Sequence, residues 1–184
     1  MEKRFGEGTI ELLRGDITRV RAEVIVTAAN SGLRGGGGVD GAVHRAAGPR
    51  LLDACRALGG CPTGSAVITP AFDLSGSGVR YVVHAVGPIW KGGGAHESDL
   101  LAGAYQASLE LADQHRCLSI AFPSISTGIY GFPLNSAAQI AVQTCGRFMT
   151  SGPAHLTRTI FSLFDSATFS AFEKAVSQSD PGKN

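Results

Sequence analysis

Asn30, Asp40 and His44 are the side chains of this chain whose types and spacing could do chemistry together. They lie within Ala28-Ala29-Asn30-Ser31-Gly32-Leu33-Arg34-Gly35-Gly36-Gly37-Gly38-Val39-Asp40-Gly41-Ala42-Val43-His44, which carries four consecutive glycines. A carboxylate can polarise a water molecule, an imidazole can support it, and an amide can fix a hydroxyl group. A helix opening after the glycines sets Asp40 and His44 on one face, one turn apart. Consecutive glycines cost backbone entropy on folding. A use that accounts for them is close approach of backbone to a ligand, with N–H groups offered to it. Each polar residue also has a plainer reading, Asn30 as a turn former at a strand end and Asp40 as a helix cap.

A second loop of the same kind is Ser124-Ile125-Ser126-Thr127-Gly128-Ile129-Tyr130-Gly131-Phe132. Each loop leaves the C-terminal end of an apolar strand and enters a helical pattern, which is where ligands sit in α/β sheets. Two such helix N-termini with exposed amides make a diphosphate site without any Lys or Arg. Tight turns are the alternative for both.

Such loops need a buried sheet behind them. Thr9 to Arg14, Val24 to Ala28, Ser65 to Thr69, Val79 to Val86, Leu118 to Phe122 and Thr157 to Leu163 read as about six strands. Val24 to Ala28 is continuously apolar but for Thr27, as in a strand covered on both faces. Helices are predicted over Val39 to Ala47 and from Pro49, the latter with Leu51, Leu52, Cys55 and Leu58 at helical spacing and Gly59-Gly60 as its stop. Another spans Ser98 to His115, with Leu101, Ala104, Ser108, Leu111 and Ala112 on one stripe. One follows Pro133 with Leu134, Ala138, Ala141, Cys145 and Phe148 inward, and a last follows Asp165 with Phe169, Phe172 and Val176 inward. Strands alternating with helices predict an α/β domain over residues 1–177, helices covering both faces of a central sheet. Residues 178–184 read as a polar tail, expected to be frayed.

Composition removes several classes of partner. Sixteen basic against fifteen acidic residues give a net charge of +1, which is no footprint for gripping a nucleic-acid backbone. Hydrophobic residues at 43% against 17% charged describe a compact fold rather than a disordered chain. Cys55, Cys61, Cys117 and Cys145 form no CxxC pair and have no metal-ligand spacing, as expected of reduced thiols. The N-terminus lacks the apolar core of a signal peptide, and no apolar run approaches the ~20 residues of a membrane span. A soluble, cytoplasmic protein is expected.

Gly36-x-Gly38-x-x-Gly41 matches the dinucleotide-binding pattern literally. That fingerprint begins directly after a strand and needs an acid ending the next strand. Here Asn30 to Arg34 intervene, and Asp53 falls inside a predicted helix. The chain also lacks the P-loop GxxxxGK[ST] and the GxSxG nucleophile elbow.

Taken together, Gly15-Asp16-Ile17-Thr18, Ala28-Ala29-Asn30-Ser31, Gly35 to His44 and Ser126-Thr127-Gly128-Ile129-Tyr130-Gly131 resemble the macrodomain family. Within it they are most similar to the MacroD-type branch, which includes bacterial O-acetyl-ADP-ribose deacetylases. The resemblance extends from about Thr9 to about Val176. It implies a three-layer α/β/α fold around a mixed sheet, with ADP-ribose in a cleft across the strand ends. It implies that Asp16 accepts from the adenine amino group, that Ile17 offers a neighbouring N–H, and that Phe164 stacks on adenine. On periodicity alone Phe164 reads as a core aromatic and Asp16 as a helix cap. The resemblance further implies that Gly35, Gly36, Gly37, Gly38 and Val39 wrap the diphosphate and distal ribose from one side. Ser126, Thr127, Gly128, Ile129 and Tyr130 do so from the other.

Asn30 would bond the distal ribose, and Asp40, with Gly37 and Asn30, would carry catalysis. His44 is held as a supporting residue, His84 as a satisfied strand histidine, and Trp90 as a packing residue or an edge of the cleft. Members of the family commonly carry Asn where this chain has Thr27, a difference that bears on how Asn30 is positioned. The function so implied is hydrolysis of esters at the distal ribose of ADP-ribose. The substrates would be O-acetyl-ADP-ribose, mono-ADP-ribose on acidic protein side chains, or both. No metal and no redox cofactor are implied. Partners would be ADP-ribose, its esters and mono-ADP-ribosylated proteins, with nucleic acid expected only as an ADP-ribosylated end and no membrane. A reader module that binds ADP-ribose without turnover is the alternative.

Overall fold

The computed structural model of the protein describes residues 1–179. Its strands are β1 (Glu2–Phe5), β2 (Gly8–Arg14), β3 (Val24–Ala28), β4 (Ser65–Pro70), β5 (Tyr81–Val86), β6 (Ser119–Phe122) and β7 (Arg158–Leu163). They form one mixed sheet in the order β1-β2-β7-β6-β3-β5-β4. The interior run from β2 to β5 is parallel, and β1 and β4 pair antiparallel at the two edges. The sheet therefore holds seven strands where the sequence suggested about six. The extra one is β1, whose Glu2, Lys3 and Arg4 leave only Phe5 buried. A short polar edge strand carries no hydrophobic period to read.

The helices are α1 (Gly38–Ala47), α2 (Arg50–Leu58), α3 (Glu97–Gln114), α4 (Leu134–Thr150) and α5 (Ser166–Gln178). The last reaches Gln178, one residue into the expected tail, and residues 180–184 lie outside the described residues. Asp165 caps it as predicted, Oδ1 accepting from the Thr168 N–H at 2.8 Å. α3, α4 and α5 cover one face of the sheet, while α1, α2 and a short 3-10 turn at Phe72–Ser77 cover the other. The alternation of strand side chains feeds both cores. Val24 and Val26 of β3 pack with α3 and α4, whereas Ile25 packs with Val43 and Leu51. The predicted inner faces are right in direction and wrong in detail. Tyr105 and Leu109 are fully buried in α3, while Leu58 is exposed at the end of α2.

The neighbours β2, β7, β6 and β3 all run the same way, so their C-terminal ends lie along one rim. Each then opens a loop of interest: Gly15-Asp16 after β2, Phe164-Asp165 after β7, Pro123 to Tyr130 after β6, and Asn30 to Gly37 after β3. Their order along the rim follows strand order, not sequence order. Three interstrand spacings make that rim roughly 14 Å long.

Candidate functional site

A cavity of about 520 Å³ opens at the β2–β7 end and is lined by Gly15, Asp16, Ile17, Phe164, Asp165 and Thr168 among others. A second, of about 340 Å³, lies at the β3 end against Asn30, Gly36, Gly37, Asp40, Ser126 and Tyr130. Gly38, Val39, Pro123, Ser124 and Gly128 line both, so the two form one cleft.

At the first end Asp16 caps the 3-10 turn Ile17–Arg19, its Oδ1 accepting from the Thr18 N–H at 2.9 Å and the Thr18 hydroxyl at 2.8 Å. The cap reading is therefore correct for Oδ1. Oδ2 has no hydrogen-bond partner among the described residues, and Asp16 lines the cavity. Phe164 is 79% exposed, which overturns its reading as a core aromatic. It sits one residue past the end of β7, where the strand period no longer dictates burial.

The middle is backbone. Gly35 and Gly38 have φ of +74° and +57°, a region that only glycine enters cheaply. Gly37 is the N-cap of α1, with no side chain to close the first turn. The first N–H groups of the helix thus have no side-chain cap among the described residues and border the cleft. Across from them the β6 loop is anchored from beneath by Tyr105, whose hydroxyl accepts from the Ile125 N–H at 3.2 Å and donates to the Pro123 carbonyl at 3.4 Å. Ser126 is held at φ +66°, and its buried hydroxyl has no partner among the described residues. An orphaned buried hydroxyl on a strained residue beside a cavity is a mark of a ligand site. The Trp90 N–H donates to the Tyr130 carbonyl at 2.8 Å, and its ring packs on Phe132, so Trp90 shores the loop from outside. Ile129 is fully exposed at the cleft wall.

At the β3 end Asn30 binds its own loop. Its Nδ2 donates to the Gly35 carbonyl at 2.8 Å, and its Oδ1 accepts from the Arg34 N–H at 3.0 Å. It is a turn former and a cleft residue together. Asp40 is buried, and its Oδ1 accepts from the Thr27 hydroxyl at 2.8 Å. Asp40 does not cap α1 with its side chain. Thr27 in β3 therefore bears on Asp40, while Asn30 is fixed by its own loop. Burial raises the Asp40 carboxyl above the usual range, while Thr27 and then His44 pull it back in part.

His44 Nε2 stands 3.6 Å from Asp40 Oδ1, on the same face of α1 as expected. Behind it lies a buried polar group that the sequence did not assemble. Thr27 and His84 are register partners on β3 and β5, so both point to the α1 side. His84 Nε2 is 3.0 Å from the Thr69 hydroxyl, and its ring is 3.7 Å from Cys55 Sγ. Burial, then the nearby His44, pushes the His84 imidazole down to about 4; burial, then Asp40, pushes the Cys55 thiol up to about 11. Among the described residues, His44, Cys55 and His84 are the one trio whose donor atoms could meet a soft ion, all lying within 4.8 Å of one another. In the structure Cys55 and His84 serve one another and Thr69.

Asp165, Thr168, Pro123 and Ala42 also line the cleft, and sequence reasoning did not name them as cleft residues. Asp165 was visible as a cap, but nothing in a single sequence says that a cap borders a cavity. All four cysteines are free and buried, and no helix among the described residues is long and apolar enough to cross a membrane.

The sequence profile of the Macro domain matches residues 26–141. A Macro domain-containing protein of Ralstonia nicotianae is 53% identical over 170 residues, 92% of this chain and 95% of that protein. An O-acetyl-ADP-ribose deacetylase of Cronobacter turicensis is 49% identical over 177 residues, 94% of this chain and 98% of that protein. The Oceanobacillus iheyensis macrodomain, solved with ADP, is similar with a TM-score of 0.90 at 40% identity, over 96% of this chain and 94% of that one.

Proposed function

This chain belongs to the Macro domain family, and from that premise we propose that it binds ADP-ribose and hydrolyses esters at its distal ribose. The observation that carries this reading is the order of groups along one cleft. An exposed aromatic and a carboxylate oxygen come first, uncapped helix amides next, and a buried carboxylate last.

Adenine stacks on Phe164 and donates from its amino group to Asp16 Oδ2, beside the Ile17 N–H. The diphosphate takes the N–H groups at the start of α1 and those of the Ser126–Tyr130 loop, where dipole and donors both favour an anion. This suits a protein whose net charge is only +1. The distal ribose then lies between Asn30 and Asp40. Binding energy from adenine and diphosphate, remote from the scissile bond, orients the ester.

In the reaction a water attacks the ester carbonyl carbon, and its oxygen ends in the released acid. The bond from that carbon to the ribose oxygen breaks, and the ribose oxygen leaves with a proton as a hydroxyl group. Asp40, a substrate phosphate oxygen and loop amides hold the attacking water. A carboxylate raised by burial is a stronger base than a solvated one. Acetyl esters and glutamyl or aspartyl protein esters present the same ADP-ribose to the cleft, so both are substrates on this reading. The chemistry is a hydrolysis and draws on no redox cofactor.

The test is calorimetric titration of ADP-ribose followed by turnover of O-acetyl-ADP-ribose and of a mono-ADP-ribosylated protein, each with wild type and Asp40→Ala. Binding with turnover that collapses in Asp40→Ala supports the proposal. Binding with no turnover of either ester by wild type makes the protein a reader instead.

A further inference from the structure

The group that holds Asp40 comes from the sheet and not from the glycine loop. Thr27 is fully buried near the end of β3 and donates from Oγ1 to Asp40 Oδ1 at 2.8 Å. His44 Nε2 stands 3.6 Å from the same oxygen, too far for a hydrogen bond. The other oxygen, Oδ2, is turned toward the glycine loop, 3.6 Å from where a Cβ on Gly36 would stand. One oxygen is thus tied back to the sheet and the other faces the cleft side.

We propose that Thr27 is a positioning residue, whose hydroxyl fixes the Asp40 carboxylate with Oδ1 against the sheet and Oδ2 presented to the glycine loop. This deepens the hydrolase reading above and, for its catalytic consequence, rests on it. A threonine suits the task because its β-branched side chain is stiff on a strand. The β3–β5 register keeps the hydroxyl on the α1 side of the sheet. The pairing is also mutual: a buried hydroxyl and a buried carboxylate oxygen each need a partner, and removal of one strands the other.

The titratable groups that face Asp40 do not replace Thr27. His44 comes from the same helix, Cys55 from α2, and His84 from β5 behind them. Cys55 is a neutral thiol and His84 a neutral imidazole at ordinary pH, so neither brings a positive charge. Burial works against the Asp40 anion, and of the two groups that favour it Thr27 outweighs His44.

The experiment compares the full chain as wild type, Thr27→Val and Thr27→Ser, with Thr27→Ala repeating the hydroxyl deletion so that a folding defect in one variant leaves the comparison decidable. The first readout is a carbon-13 NMR titration of the aspartate carboxyl groups, with the Asp40 resonance assigned by its loss in Asp40→Asn. The second is the pH profile of ester turnover, alongside the ADP-ribose Kd. In Thr27→Val the Asp40 midpoint moves to higher pH and the acid limb of kcat/KM moves with it. There kcat falls about tenfold while Kd changes less than about threefold, and Thr27→Ser returns every value toward wild type. Equal Asp40 midpoints in wild type and the hydroxyl-deleted, folded variants overturn the proposal. If wild type turns over neither ester, the hydrolase reading fails, and the NMR titration still decides whether Thr27 governs Asp40.

Discussion

Asn30 and Gly35 are joined across the first bend of the glycine loop, the Asn30 amide donating to the Gly35 carbonyl at 2.8 Å. The bond closes the turn from which Gly36 to Gly38 run toward the cleft, so one side chain sets the direction of several backbone donors. Asn30→Ala removes that brace together with the bond from the Arg34 N–H. ADP-ribose affinity is expected to fall by about tenfold, equivalent to ~1.4 kcal/mol. Amide hydrogen exchange at Gly36, Gly37 and Gly38 should speed up at the same time. Unchanged exchange with lost affinity would assign Asn30 to the ligand alone.

Phe164 projects from the end of β7 beside the Gly15-Asp16 turn, through the register that pairs Leu163 with Arg14. It is exposed and so holds little of the core together. Phe164→Ala should raise the ADP-ribose Kd by about tenfold, within the 1–3 kcal/mol range of base–aromatic stacking. The melting temperature should stay within about 1 °C, and kcat at saturating ester should hold. A fall in melting temperature of several degrees would return Phe164 to the core.

Much of this arrangement was legible in the chain because local rules and burial agree there. The apolar run of β3, the glycine stretch and the helix after it each carry a period or a breaker that a single sequence displays. Thr27 shows the limit. A threonine inside an apolar strand is unremarkable by propensity, and its bond to Asp40 depends on which face α1 covers. Phe164 shows the opposite limit: by strand period alone an aromatic after a buried strand looks like more of the core, and only the resemblance points it to a ligand, while the side chain is exposed. Strand order is a third case. The placement of Asp16 beside Phe164 needs β2 and β7 as neighbours, a pairing of residues about 150 apart that no local pattern encodes. β1 stayed hidden because three of its four residues are charged, and only Phe5 is buried.

His84 ties stability to pH. Burial first, and the neighbouring His44 next, hold its imidazole at about 4 against an ordinary 6.5. As pH falls below 6.5 the unfolded chain takes up the proton while the folded chain does not. Stability is therefore lost between 6.5 and about 4, reaching on the order of 3 kcal/mol, and this group adds nothing further below. Urea unfolding at about pH 7.5, 6 and 5 should show the decline, and His84→Gln should flatten it. Glu97 acts in a separate, lower window. Burial would raise its carboxyl, but its own N–H and then those of Lys91, Ala95 and Gly93 outweigh that and hold it at about 2. Its contribution is present above the usual carboxylate pKa and is lost as pH falls toward 2. A slope between pH 6.5 and 4 that survives in His84→Gln would show that another group carries it.

Gly87, just past the end of β5, offers the last test, because it is where the sheet touches the β6 loop from behind. A Cβ there would run into the Ser126 hydroxyl and would meet Ile125 Cγ2 at 2.5 Å. Tyr105 holds the loop from beneath, so it cannot retreat freely. Gly87→Ala should therefore destabilise the fold by about 1–3 kcal/mol, as overpacking does, and weaken ADP-ribose binding by displacing the Ser126–Tyr130 backbone. Ser126→Gly removes one of the two collisions and also relaxes a residue held at φ +66°. The double variant should then be more stable than Gly87→Ala alone, with a coupling energy above about 0.5 kcal/mol in a double-mutant cycle. Additive effects in that cycle would mean that the strain at Ser126 is set by its own loop and not by the glycine behind it.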